Sequence, residues 1–137
     1  MKKQSGFTLI ELVAVIVILA ILAVVAVPQF VDLRVQAANS SAAGIGGAIA
    51  SATSLNYARG VAGAGASTVT GCSTAQLEAL LAGGAIPSGG GVTYTIGGPA
   101  GPIASAATAT CTITPGGSVT GTAQNFTIIG CANGTCS

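Results

Sequence analysis

The chain has 137 residues, the size of one ordinary domain, and only 5% of them are charged, against about 25% in globular proteins. Four basic and three acidic residues give a net charge of +1, which offers no electrostatic footprint for nucleic acid and too few charges for a charged disordered tail. The absence of His removes the commonest general base and a common metal ligand, so neither an enzyme nor a cofactor is expected. With half of the residues hydrophobic, a membrane-associated or polymerising structural protein remains.

The apolar residues concentrate near the N-terminus. Residues 7–27 read FTLIELVAVIVILAILAVVAV and contain one charge, Glu11, so this run is long enough to span a bilayer as a helix. The preceding leader, MKKQSG, places the N-terminus on the cytoplasmic side through Lys2 and Lys3. A secretory signal peptide would need an Ala-x-Ala cleavage site, which the run lacks. A plain single-pass anchor explains the length and the lysines but gives Glu11 no role.

Glu11 is an acid inside a membrane span, and such a residue calls for a named partner. No other charged residue lies in the span, so the partner must come from another chain or from a new N-terminus. Cleavage after Gly6 would free the amine of Phe7, which is cationic at neutral pH. Phe7 and Glu11 lie about 6 Å apart along a helix, so staggered helices bring the amine of one copy to Glu11 of the next. Such a pair fixes register more than it adds stability.

The N-terminal segment resembles the prepilin leader junction of type IV pilins and type II secretion pseudopilins. The resemblance lies in the stretch GFTLIEL from Gly6 to Leu12, the short basic leader, the apolar run and Pro28. It implies cleavage between Gly6 and Phe7 by a prepilin peptidase, N-methylation of Phe7 by the same enzyme, and an assembly role for Glu11. The short leader before Phe7 resembles the type IVa kind. In the family, Pro28 accompanies a kink or curve of the helix.

Helical spacing predicts that the helix continues from Phe7 to about Arg59. The apolar residues at this spacing beyond the span are Phe30, Leu33, Ala37, Ile45, Ile49, Ala52 and Leu55. Three glycines, at 44, 46 and 47, weaken the helix and mark either a close contact or a break. A helix that ends at Pro28 is the open alternative. The chain thus divides into a leader at 1–6, a transmembrane or filament-core helix at 7–27, a continuation at 28–59 and a β-rich head at 60–137.

The head begins with a Gly/Ala/Ser/Thr-rich loop, and a short helix is predicted from Ser73 to Ala82. Ser73 and Gln76 have the spacing of a capping box. Alternating apolar residues then predict strands around 92–96, 109–113 and 126–128, separated by Gly/Pro clusters at 97–102 and 115–117. The expected fold is therefore α+β and pilin-like: a long N-terminal helix whose C-terminal half packs on a three- or four-stranded antiparallel sheet.

Four cysteines lie in the head, where an extracytoplasmic location permits disulfides. Asn133-Gly134 predicts a two-residue hairpin turn that places Cys131 opposite Cys136. On strand parity Cys111 faces the core, whereas Cys131 faces the other way. We therefore predict Cys131–Cys136 and Cys72–Cys111 bonds. A zinc site is the weaker interpretation, because the spacings lack CxxC pairs.

The head also resembles the mannose-sensitive haemagglutinin type of major pilin. The shared features are Cys72 before a short helix, two leucines followed by two glycines at 80–84, and Cys-Thr-Ile-Thr at 111–114. The leading hypothesis is a structural subunit of a type IV pilus that supports adhesion, motility or DNA uptake. The alternatives are a type II secretion pseudopilin and a monomeric membrane-anchored binding module.

The expected location is the inner membrane, with a single pass, before assembly and the cell-surface pilus afterwards. The expected partners are further copies in a helical homopolymer, the prepilin peptidase, the inner-membrane assembly machinery and, before assembly, membrane lipid. No metal and no direct nucleic-acid site are expected.

Overall fold

The computed structural model describes residues 6–99 and 101–136. The chain divides into two compact units, Met1–Arg34 and Val35–Ser137, which are described separately below. The elements in chain order are helix α1 (Leu9–Val61), helix α2 (Thr74–Glu78) and strands β1 (Val92–Gly97), β2 (Thr108–Gly117) and β3 (Gln124–Ile129). The predicted α+β fold, a long N-terminal helix followed by a small antiparallel sheet, is confirmed.

Helix α1 begins two residues later and ends two residues later than the sequence predicts. It runs through position 28, so the alternative of a helix that ends at Pro28 is wrong. The three glycines at 44–47 do not break it either. Gly46 is buried, and a Cβ on it would lie 3.1–3.3 Å from the Phe126 side chain, whereas Gly44 and Gly47 face open space. Gly46 therefore marks the predicted close contact between the helix and the sheet.

The buried stripe of α1 differs from the one that apolar spacing predicts. The buried positions in the second unit are Ala38, Ala42, Gly46, Ile49, Thr53, Asn56 and Gly60, whereas Leu55 is 68% exposed. Small residues occupy this stripe because the sheet approaches the helix closely. Thr53 and Asn56 are polar but hydrogen-bonded: the Thr53 hydroxyl donates to the carbonyl of Ala50 at 2.9 Å and accepts from the N–H of Ile129 at 3.4 Å.

Helix α2 is shorter than predicted and lacks the expected capping box. Ser73 occupies the N-cap position, but its side chain makes no capping hydrogen bond. The Gln76 amide instead binds Thr70 of the preceding loop: its Oε1 accepts from the Thr70 N–H at 3.2 Å, and its Nε2 donates to the Thr70 hydroxyl at 3.1 Å. Leu77 is fully buried and anchors α2 to the core. The Gln76 side chain, which the capping-box spacing assigns to the start of α2, therefore binds the loop instead.

The three strands form one antiparallel sheet in the order β1-β2-β3. Between β1 and β2, Ile96 pairs with Ile113. Between β2 and β3, Cys111 pairs with Phe126. These side chains face the helix, together with Ile128, whereas the opposite face is covered by threonine. Its threonines are Thr93, Thr95, Thr108, Thr110, Thr112, Thr114 and Thr127.

Pro115–Gly117 belongs to β2 and is not the separator that the sequence predicts. Pro115 pairs with Tyr94 of β1, but it lies beyond Ile113, the last residue of β2 that pairs with β3. Among the described residues, no strand pairs with Pro115 on the edge of β2 that faces β3. The N–H that proline lacks therefore removes no hydrogen bond from the sheet. The Pro115 carbonyl accepts a hydrogen bond from the N–H of Gly121 in the loop that follows, at 3.1 Å.

The core of the second unit lies between α1 and the sheet. Its buried members are Ala42, Ile49, Val69, Leu77, Ile96, Ile103, Cys111, Ile113, Phe126 and Ile128. All three strands, both helices and two loop segments contribute to it, as the predicted packing of the sheet on the C-terminal half of α1 requires.

Candidate assembly site

The predicted cleavage junction lies just before the helix begins. Gly6, Phe7 and Thr8 are exposed and non-helical, and α1 starts at Leu9. Phe7 is 88% exposed, and among the described residues no heavy atom beyond the chain neighbours of Gly6 lies within 4 Å of where a Cβ on Gly6 would stand. A peptidase can therefore reach the bond between Gly6 and Phe7 without unwinding α1.

Glu11 and Thr8 form a reciprocal capping box at the start of α1. The Glu11 Oε2 accepts from the Thr8 N–H at 2.8 Å and from the Thr8 hydroxyl at 2.7 Å. The Thr8 hydroxyl in turn accepts from the Glu11 N–H at 3.4 Å. Thr followed three residues later by Glu is a known signature of a helix start. The spacing of Thr8 and Glu11 thus provides an uncharged partner for Glu11, in addition to the charged partners expected from the sequence.

Behind this cap lies an apolar helical segment. Within the part of the chain that the structure describes, Leu9–Ala26 is the one helical stretch long and apolar enough to cross a membrane, with a mean hydropathy of 3.2 and no burial. Large side chains stay exposed along the whole segment, for example Leu9 at 80% and Val24 at 77%. Exposed apolar surface of this extent needs a covering phase, either lipid or other protein.

The predicted kink at Pro28 stays a prediction. Position 28 is helical, but the side chain of Pro28 lies outside the described residues. The predicted leader, residues 1–6, is described only at Gly6.

The cysteines pair as the sequence predicts. Cys72 is bonded to Cys111, with their Cα atoms 5.6 Å apart, and Cys131 is bonded to Cys136, with their Cα atoms 4.4 Å apart. No cysteine thiolate is thus left for the alternative zinc site. Among the described residues there is no cluster of three His, Cys, Asp or Glu side chains that could hold a metal ion.

The predicted hairpin at Asn133-Gly134 is wrong. Cys131 pairs through its backbone with Val69 rather than with the residues beyond the turn: each N–H donates to the other carbonyl at 2.8 Å. The turn instead closes from Asn133 to Cys136, whose N–H donates to the Asn133 carbonyl at 2.9 Å. Cys136 adopts a φ of 53°, and its sulfur packs where a Cβ on Gly60 would stand. The second disulfide therefore seats the turn at 131–136 on the last turn of α1.

Asn56 joins the same end of α1 to the loop that follows. Its Nδ2 donates to the Ser67 carbonyl at 2.7 Å, and its Oδ1 accepts from the Ser67 N–H at 2.8 Å. Both Asn56 groups are thus satisfied in a site that is 5% exposed. Sequence analysis did not single out this residue, because a lone Asn in a helix carries no signal of its own.

Residues 1–27, about a fifth of the chain, match the family described as the prokaryotic N-terminal methylation motif. This motif is the prepilin signal of type IV pilins and pseudopilins, and it implies processing by a prepilin peptidase and polymerisation of the pilus-assembly type. The chain therefore carries the N-terminal signal of type IV pilins and pseudopilins on a long apolar helix, which a small antiparallel sheet follows. No curated protein and no solved structure matches the chain. The resemblance of the head to one type of major pilin accordingly stays a prediction.

Proposed function

We propose that this chain is a structural subunit of a type IV pilus. In this proposal a prepilin peptidase cuts between Gly6 and Phe7 and methylates the Phe7 amine. The mature chain then stays in the inner membrane until it is assembled into a surface fibre. The observation that carries the proposal is the combination at the start of α1: an exposed junction, an acid in the first helical turn and an apolar segment behind it that has no buried residue.

The apolar segment accounts for both stages of this life cycle. In the membrane, lipid covers Leu9–Ala26. In a fibre, the same surface is covered by the segments of neighbouring copies. Because lipid tails are about as apolar as leucine, the exchange of lipid for neighbouring helices gains little hydrophobic energy. Packing and specific polar contacts therefore decide whether, and in which register, subunits associate.

Glu11 supplies that polar contact in the proposal. Both hydrogen bonds from Thr8 end on one carboxylate oxygen, Oε2. An ionised carboxylate has about four acceptor positions, so the capped Glu11 still accepts from an ammonium group of a neighbour. The Phe7 amine stays cationic after methylation and is the proposed partner. Either charge would be costly when buried alone and is tolerable as a pair.

A monomeric membrane-anchored module is the second candidate, and the capping box favours it. Because Thr8 gives Glu11 a role in starting the helix, an acid at position 11 no longer demands a neighbouring chain. This candidate predicts mature, membrane-bound protein and no fibre. A secretion pseudopilus, the third possibility, shares the processing signal. Pseudopilin heads often rely on calcium, whereas the head at 60–137 has Glu78 as its one acid and holds two disulfides.

The test combines processing with fibre recovery. Material sheared from cells is imaged by electron microscopy, and the N-terminus of the recovered protein is read by mass spectrometry. We expect fibres whose subunits start with methylated Phe7. A Gly6→Val variant should keep its leader and yield none, whereas a Gly6→Ala variant serves as the matched control with the smallest added side chain. Mature protein found only in the membrane would support the anchor instead, and protein that keeps Met1 would contradict all prepilin-type candidates.

A further inference from the structure

The C-terminal turn holds the one asparagine of the chain that is followed by glycine. The other three asparagines, Asn39, Asn56 and Asn125, precede Ser, Tyr and Phe. They lie in α1 or β3, whereas Asn133 lies in the exposed turn between Cys131 and Cys136. An asparagine before glycine in a turn differs from one in a helix or strand in the freedom of the next backbone N–H. That N–H is not held by a helix or sheet hydrogen bond, and the glycine has no side chain to hinder it.

We propose that Asn133 is a site of spontaneous deamidation that changes the charge of the head as the protein ages. The Gly134 nitrogen loses its proton to water and attacks Cγ of Asn133. A C–N bond forms, the bond from Cγ to Nδ2 breaks, and ammonia leaves with the protons it needs from water. The resulting cyclic imide is opened by water at either carbonyl, which gives aspartate or isoaspartate. Water is the single co-reactant, and no oxidation or reduction occurs.

Ser105 is placed to assist the attack. Its hydroxyl accepts from the Ala132 N–H at 3.0 Å and donates to the Asn133 Oδ1 at 3.4 Å. The second contact is long for a hydrogen bond to a resting amide. As the Gly134 nitrogen adds to Cγ, negative charge develops on Oδ1, and a donor already aimed at that oxygen stabilises it. Ser105 is thus a positioning and stabilising group for a reaction within the chain.

The reaction has a definite consequence for the second unit. Residues 35–137 carry one basic residue, Arg59, and one acidic residue, Glu78, so their formal charges cancel. Deamidation adds a carboxylate and leaves a net charge of −1. The isoaspartate route also inserts a methylene into the main chain inside the Cys131–Cys136 ring. That insertion disturbs two hydrogen bonds of the turn, from the Cys136 N–H to the Asn133 carbonyl and from the Ala66 N–H to the Gly134 carbonyl.

The first experiment incubates the full-length protein in detergent at neutral and mildly alkaline pH and follows all four asparagines by peptide mass spectrometry. Isoaspartate is counted by enzymatic methylation. We expect Asn133 to convert about tenfold faster than any other asparagine. Conversion of Asn39, Asn56 or Asn125 at the same rate would overturn the proposal. So would a sugar on Asn133, because Asn133-Gly134-Thr135 is also an acceptor sequence for N-glycosylation.

Two variants test the chemistry. A Cβ at Gly134 would lie 3.4 Å from the Ala66 carbonyl, an ordinary contact, so Gly134→Ala should fold normally and slow the reaction about tenfold. Ser105→Ala should slow it about threefold, less than the loss of a buried oxyanion donor, and Ser105→Thr should restore it. Near-ultraviolet circular dichroism checks the fold. An unchanged rate in Gly134→Ala would overturn the site, and an unchanged rate in Ser105→Ala would overturn the role of Ser105. The comparison of the four native asparagines needs no variant.

Discussion

Replacing Glu11 by Gln separates the two roles that the structure leaves open for this carboxylate. Glutamine keeps an oxygen that can accept from the Thr8 N–H, as Glu11 does at 2.8 Å, but it carries no charge. Thr8→Ala does the reverse, because it removes the cap and keeps the acid. If Glu11 acts through its charge, the first change should abolish fibres and the second should not.

The magnitudes of the two losses differ enough to be told apart. Loss of an N-cap costs about 1 kcal/mol, roughly a fivefold change in an equilibrium constant. Leaving one member of a buried ion pair without its partner costs about 3–5 kcal/mol, roughly 100- to 5,000-fold for each subunit added. We therefore expect Glu11→Gln to lower the yield of sheared fibres by at least a hundredfold and Thr8→Ala by about fivefold.

The assay is the ratio of sheared fibre to mature membrane-bound subunit, measured by immunoblot and checked by electron microscopy. Thr8→Ser serves as a control because serine keeps the capping hydroxyl. Mass spectrometry of the N-terminus excludes variants that are not processed. Fibres formed by Glu11→Gln at close to the wild-type ratio, together with a defect in Thr8→Ala, would refute the pairing of Glu11 with the Phe7 amine. Glu11 would then be a helix cap and nothing more.

Three further predictions concern the second unit, Val35–Ser137, and are measured as thermal or denaturant unfolding of the detergent-solubilised chain. Gly46→Ala should lower the free energy of unfolding by about 1–3 kcal/mol, because the added Cβ would lie 3.1 Å from the Phe126 side chain. Gly47→Ala should raise it by up to about 1 kcal/mol, because position 47 faces open space. Equal effects of the two variants would contradict the close contact. Removing the Cys72–Cys111 bond should cost about 4 kcal/mol and removing Cys131–Cys136 about 2 kcal/mol, because their sequence separations are 39 and 5; the opposite order would count against the loop-entropy reasoning. Asn56→Ala should cost about 1–3 kcal/mol, because it strands the Ser67 backbone groups, while Ser54→Ala on the exposed side of α1 should stay within about 0.5 kcal/mol of wild type.

The local features of this protein could be predicted from its sequence. The apolar run with Glu11, the motif around Gly6 and Phe7, the long helix and the three alternating strands each depend on neighbouring residues, and periodicity records such patterns directly. The disulfide pairing also followed, although one reason given for it did not hold: Cys131 and Cys136 are joined across a turn rather than a hairpin, because the backbone of Cys131 pairs with Val69.

Other features were decided only by the tertiary structure, because they depend on what approaches from a distant part of the chain. Sequence spacing favoured Leu55 for the buried stripe of α1, but close approach of the sheet selects the small residue Gly46 and the hydrogen-bonded Asn56. Gln76 had the spacing of a cap and instead binds the loop at Thr70, because a tertiary partner competes with the local one. An amphipathic pattern in the sequence shows that one face of a helix is buried. Which residues fit on that face depends on how close the opposing surface lies and on its chemistry, and these come from distant parts of the chain.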